Sequence, residues 1–316
     1  MITYNEFKKE VEENLIFHMP ESFRDGTWKA FVKSISKINE TLDGISVVNT
    51  EKHGAYPTLY INDFYKDVSA GKTVDNVIDE MADIIVNTLN NIPASINDMA
   101  ARNLDKDKIF YQIVNRKQNS EMLKNVPHRD YLDFAIIYRV VVEINDNNIA
   151  SAVITNELAN QLGYSEENLH DLAEVNTPRL FPVKVANLME LLINMMPEAV
   201  IEDFSEDEAV PMYVITNIYE NNGAAVGFLY RNVLHDLAEK LKCTELYILP
   251  SSIHEIIAIP ADKDDEATDI ERLADMVMEV NSQQVNLSER LSNQVYLYNS
   301  VLDVTIIVTR ACESLD

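Results

Sequence analysis

Hydroxyl, imidazole and carboxylate groups fall within five positions at Ser251-Ser252-Ile253-His254-Glu255. They are the parts of an activated nucleophile, which would make the chain a hydrolase or transferase using Ser252 or His254. Adjacency supports this weakly, because triads are assembled from separated segments and no GxSxG elbow surrounds either serine. Serines between two apolar runs are ordinary turn residues that satisfy backbone donors. The spacing therefore favours a turn that offers Ser252, His254 and Glu255 to a ligand over an acylating centre, and no residue is assigned as catalytic.

A second polar group, Pro127-His128-Arg129-Asp130, precedes the apolar run FAIIYRVVVEI. His128 and Arg129 could hold an anionic ligand or position a proton. The competing reading is an ion pair of His128 or Arg129 with Asp130 or Asp133. Asn176-Thr177-Pro178-Arg179 and Asn217 divide in the same way, between pocket lining and turn or capping chemistry.

Two stretches imitate known ligand loops and fail on their own residues. Gly71-Lys72-Thr73 ends like a phosphate-binding loop, but Lys66 stands where that loop needs glycine, so a helix-capping glycine followed by an N-cap threonine is expected. DKDDEATD at 262–269 resembles a calcium loop, yet Ala267 replaces the required glycine and Leu273 the bidentate glutamate. Cys243 and Cys312 form no CxxC pair and have no histidines at ligand spacing. No metal and no cofactor are expected.

The elements that must position these groups follow from periodicity. Phe7, Val11, Leu15 and Ile16 share one helical stripe, opened by Thr3 with Glu6 three residues later. FVKSISKIN, ISVVNT and YPTLYIN alternate and read as two or three antiparallel strands, with His53-Gly54 as a turn. DFYKDVSA and VDNVIDEMADIIVNTLNNI read as helices. KIFYQIVN is a strand and RKQNSEMLKNV a short helix, and then YLDFAIIYRVVVEI and IASAVIT flank the turn Asn145-Asp146-Asn147-Asn148. Helices are expected near 156–162, 165–175 and 183–196. After an acidic loop at 202–208 come strands PMYVITNIY and AAVGFLY around Asn221-Asn222-Gly223, and a helix near 231–241. Strands ELYILP and HEIIAIP, a helix near 268–285, and two closing strands finish the chain. Hairpins alternating with helix pairs predict an α+β fold, antiparallel rather than doubly wound, in two packed lobes at 1–125 and 126–316.

The charge separates those halves. The chain of 316 residues carries 26 basic and 52 acidic side chains, a net of −26. Residues 1–125 hold 15 and 19 of them, residues 126–316 the remaining 11 and 33. Such a surface repels phosphate backbones and anionic headgroups, which argues against direct nucleic-acid binding and against a membrane-bound role. It also allows an acidic mimic of nucleic acid, but Glu166, Glu167, Asp269 and Glu271 are accounted for as first-turn acids of helices. The N-terminal MITYNEFKKEVEENLIF mixes acids with lysines and reads as an amphipathic helix rather than a signal peptide, so a cytoplasmic setting is expected.

PHRDYLDFAIIYR, NTPRLFP, PMYVITN, GAAVGFLY and LYILPSSIHEIIAIP, with TLDGISV and YPTLYINDFYKD before them, resemble in their order an uncharacterised domain-of-unknown-function family of Gram-positive gut bacteria. The resemblance spans nearly the whole chain and implies a bacterial cytoplasmic protein, without implying catalysis. The expectation is a binding or interaction protein for an unknown protein or small-molecule ligand, with His128, Arg129, Ser252, His254 and Glu255 as the ligand-binding candidates.

Overall fold

The computed structural model describes residues 2–52, 56–91, 105–145, 148–195, 211–221, 223–250, 252–261 and 269–309. The turns at 53–54 and 146–147, Asn222, Ser251, the acidic stretch 202–208, the calcium-like residues 262–268 and Cys312 lie outside them. The fold is α+β with antiparallel sheets, in two compact units, Met1–Leu104 and Asp105–Asp316.

In the first unit, helix α1 (Tyr4–His18) starts where the sequence places it. The Thr3 hydroxyl accepts from the Glu6 amide at 3.3 Å while the Glu6 carboxylate takes the Thr3 amide at 2.8 Å. Its stripe of Phe7, Val11 and Leu15 is fully buried, together with Ile45 and Val47 from the sheet and Ile78, Met81 and Ile85 from a later helix. Strands β1 (Trp28–Lys37), β2 (Glu40–Asn49) and β3 (Thr58–Tyr60) form one antiparallel sheet, followed by α2 (Asn62–Ser69) and α3 (Val74–Asn90). Gly71, at φ +110°, and the N-cap Thr73 carry out the helix-to-helix turn, and Lys72 pairs with Asp67 and Glu80 rather than waiting for a phosphate.

The second unit begins at Asp105, 21 residues before the start expected at 126. Strand β4 (Ile109–Asn115) is the reason, since it pairs along its length with β6 (Phe134–Asn145). Strands β5 (His128–Tyr131) and β7 (Asn148–Val153) complete a four-stranded sheet, pairing with successive stretches of β6 on the side away from β4. The sequence shows YLDFAIIYRVVVEI as one run, but the chain reverses between Tyr131 and Phe134 through Leu132 at φ +54°. Leucine rarely adopts that conformation, so the turn is not advertised by its residues. Four helices follow the early strands: α4 (Ser120–Leu123), α5 (Asn156–Leu162), α6 (Glu166–Leu180) and α7 (Leu188–Met195).

A six-stranded antiparallel sheet forms the rest, in the order β13, β12, β10, β11, β9, β8. Its members are β8 (Val183–Asn187), β9 (Tyr213–Asn217), β10 (Glu245–Leu249), β11 (Ile256–Pro260), β12 (Tyr296–Asn299) and β13 (Val304–Ile307), with α8 (Ala224–Leu229), α9 (Val233–Leu241) and α10 (Ile270–Gln283) beside them. Two elements differ from the sequence expectation. Residues 183–187 are a strand rather than a helix start, because every one of them pairs with β9. Ala224–Leu229 is a buried helix turn rather than a strand, a confusion to which any short, wholly apolar run is open. No described helix is long and apolar enough to cross a membrane.

Candidate functional site

The register of the four-stranded sheet decides which polar side chains can meet. Arg129 lies opposite Ile136, and Tyr138 opposite Tyr111, so Arg129, Tyr138 and Tyr111 project from one face. Helix α6 packs on that face and presents Glu166 and His170, one turn apart. Arg129 reaches Glu166 with two parallel bonds of 3.1 Å, from Nε to Oε1 and from its terminal nitrogen to Oε2. The Tyr138 hydroxyl also donates to Glu166 and lies 3.2 Å from Nδ1 of His170, whose ring stacks against Tyr111. A phenol has one proton, and the carboxylate takes it. Nδ1 of His170 must then be the donor to the phenol oxygen, which leaves Nε2 of the neutral ring with its lone pair.

The electrostatics follow from these contacts. Burial raises the Glu166 pKa, but the hydrogen bonds from Tyr138 and Arg129 outweigh it and hold the carboxyl below its ordinary value. Burial, with the Arg129 charge behind it, lowers His170, and burial raises the Tyr138 phenol. Both lowered groups bind protons less readily folded than unfolded. Their contribution to stability is therefore present above the unfolded pKa and lost as pH falls through the folded one. Stability of the second unit should begin to fall below 6.5, the ordinary imidazole value, and fall further below 4.5, the ordinary glutamate value. Urea unfolding across that range checks it. His170→Phe should flatten the upper part of the curve, and a variant curve parallel to the parent's would remove His170 from the account.

Glu166 also closes one wall of an open cleft of about 440 Å³. Leu123, Val126 and Pro127 line one side, and Ala159, Asn160 and Tyr164 the other, with His128 at the strand end. The N-cap Ser165 and the first turn of α6 set this wall, because the Ser165 hydroxyl accepts from the Asn168 amide and fixes where the helix begins.

The five sequence candidates separate into two places. His128 and Arg129 belong to the cleft and its supporting face. Arg129 pairs with Glu166, whereas Asp130 pairs with Arg116 and Asp133 accepts from Tyr296 and Ser292, so the expected local ion pair is replaced by one across 37 residues. Ser252, His254 and Glu255 sit on the turn before β11. There the Ser252 hydroxyl accepts from the amides of His254 and Glu255 at 3.1 and 3.4 Å and donates to the Glu255 carboxylate at 3.3 Å. Nε2 of His254 faces Glu289 at 3.4 Å, on a different segment. That is hairpin-end chemistry, with the serine 4% exposed and its oxygen occupied by backbone donors.

Asn176 holds Lys106 and Ile109 carbonyls, Thr177 takes the Tyr111 amide, and Asn217 closes its own turn on Asn221 and Tyr219. The residues that sequence reasoning missed are Glu166 as an acceptor, Tyr138, His170 and, in the first unit, Asp43. The Asp43 carboxylate gathers Tyr4, Lys8 and Ser34 and ties α1 to β2. Glu166 carried a signal, as a first-turn acid, but one that named the helix and not the partner.

The fold and the cleft together define a two-unit antiparallel α+β protein with an open polar cleft in its second unit and no assembled nucleophile among the described residues. The chain belongs to the family of unknown function DUF5688, whose model matches residues 4–300. No curated protein and no solved structure matches it.

Proposed function

We propose that the protein works by binding, and that its second unit takes a small polar molecule in the cleft bounded by His128, Asn160, Tyr164 and Glu166. One observation carries this reading: the cleft wall is fixed in advance, since Glu166 receives three donors from Arg129 and Tyr138 and cannot swing away. A cleft of 440 Å³ falls within the range of small-ligand sites, and a wall held by several part-buried hydrogen bonds lowers the ordering cost of filling it. Residues 105–316 carry 16 basic and 36 acidic side chains, which disfavours nucleic acid as the occupant. The two cysteines, without ligand spacing or a disulfide framework, support a reducing, cytoplasmic setting.

The test is a metabolite screen read by amide chemical shifts on the full chain. Hits should move resonances of residues 123–128 and 156–166, and Arg129→Leu should weaken them about tenfold or more by releasing Glu166. Hits that map instead to 252–255, or a serine-directed fluorophosphonate that labels Ser252 and fails to label His254→Ala, would establish the hydrolase reading in its place.

A further inference from the structure

We propose that the occupant of this cleft is a neutral polyhydroxylated molecule of monosaccharide size; the inference rests on the cleft being a binding site and adds its chemistry. The charged groups along the cleft are already matched inside the protein. Nζ of Lys124 lies 2.5 Å from Glu121, and Glu166 is neutralised by the bidentate Arg129. Asn156 spends its amide on the Lys124 carbonyl at 3.1 Å, and Ser165 donates to Asn168 at 2.8 Å.

Three neutral polar groups remain. Nδ1 of His128 is 3.0 Å from the Val126 carbonyl, which can only accept, so that nitrogen donates there and Nε2 is the ring atom left for a ligand. The Asn160 carboxamide and the Tyr164 hydroxyl have no hydrogen-bond partner among the described residues. They supply donors and acceptors of both kinds within one cleft. Beneath them Leu123, Val126 and Ala159, each 5% exposed or less, form a closely packed floor with Pro127 beside it, so the lining mixes polar and apolar groups.

A molecule that fits has an apolar C–H face and a rim of hydroxyls that both donate and accept, which is the description of a pyranose. Charged ligands fit worse. An anion would find no unpaired cation among the described lining residues, since Lys124 is matched to Glu121 and the guanidinium behind the wall, Arg129, to Glu166. A cation would find Glu166 already satisfied, and displacing Arg129 would leave a guanidinium without its partner.

The experiment titrates the full chain with neutral hexoses, pentoses and N-acetylhexosamines, followed by amide chemical shifts and calorimetry. Glucosamine and gluconate serve as probes of matched size and opposite charge. At least one neutral sugar should shift residues 123–128 and 156–166. Tyr164→Phe and Asn160→Ala should each weaken it by roughly 3–10-fold with an unchanged Tm, one hydrogen bond apiece. Binding of glucosamine or gluconate in the cleft without any neutral sugar would overturn the ligand class and leave the site standing. A neutral panel that leaves the cleft unmoved, or moves only another surface, would overturn the inference, while the wider screen decides separately whether the cleft binds anything.

Discussion

Gly223→Ala is expected to destabilise the second unit by about 3 kcal/mol or more, beyond the usual cost of overpacking. Gly223 lies at φ −87°, a conformation open to any residue, so the constraint is space and not backbone freedom. A Cβ at this position would stand 2.3 Å from the Thr216 hydroxyl, 2.5 Å from the His254 carbonyl oxygen and 2.9 Å from the Asn217 amide nitrogen. Two of those three atoms are backbone and cannot rotate aside. The same carbonyl of His254 accepts from Gly223 at 3.1 Å and from Thr216 at 2.7 Å, so relieving the clash breaks the bonds that seat the 252–255 turn against β9. Gly227 provides the contrast. There a Cβ would meet Ile256 at its Cδ1 and Cγ1, both side-chain atoms, and the cost should be about 1–3 kcal/mol. Ile256→Ala should offset part of Gly227→Ala and none of Gly223→Ala. Urea midpoints of the three single and two double variants measure it, and a Gly223→Ala protein within 0.5 kcal/mol of the parent, the ordinary scatter of surface changes, would contradict the packing described.

What the sequence could reveal divides along the reach of its signals. The Thr3 and Glu6 box, the Thr73 and Ser165 caps and the Asp269 start of α10 were legible because a cap is made within three residues. Most strands were legible from alternation, and the α+β class from their order. The boundary at Asp105 was not, since charge changes near 125 while the pairing of β4 with β6 is a long-range fact. The 183–187 strand was hidden for the same reason: Val-Lys-Val-Ala-Asn has no strong preference until β9 is laid beside it. At the site, His128 and Arg129 were picked out by type, but the partner of Arg129 was sought among neighbours and found 37 residues away. The turn holding Ser252, His254 and Glu255 was legible as a turn, but that Ser252 meets Glu255 while His254 reaches Glu289 on another segment was not.

Asp133→Ala should cost about 2–4 kcal/mol, because it removes the carboxylate that two buried hydroxyls share, leaving Tyr296 only the Ser292 oxygen at 2.9 Å and Ser292 without this acceptor. Asp133 follows the unadvertised turn at Leu132, and its carboxylate accepts from the Tyr296 hydroxyl at 2.5 Å and the Ser292 hydroxyl at 3.1 Å. Tyr296 is fully buried and Ser292 4% exposed, so water cannot replace the lost acceptor without opening the structure. The Tyr296 pKa is raised by burial first and then by the Asp133 charge, which keeps the phenol a donor throughout the physiological range. Its ring also stacks on Phe134 at 5.3 Å, the first residue of β6, so this contact joins the four-stranded sheet to β12 of the larger one. Tyr296→Phe removes the same hydrogen bond while keeping the ring contact, and should cost less, about 1.5–3 kcal/mol as for bonds to a charged group. The double variant separates the two contributions. With the hydroxyl gone, Asp133→Ala has less left to strand, so the combined loss should fall short of the sum by at least about 1 kcal/mol. Strict additivity would mean that Asp133 acts through the turn at Leu132 alone, and the two sheets would then be joined by ring packing rather than by this carboxylate.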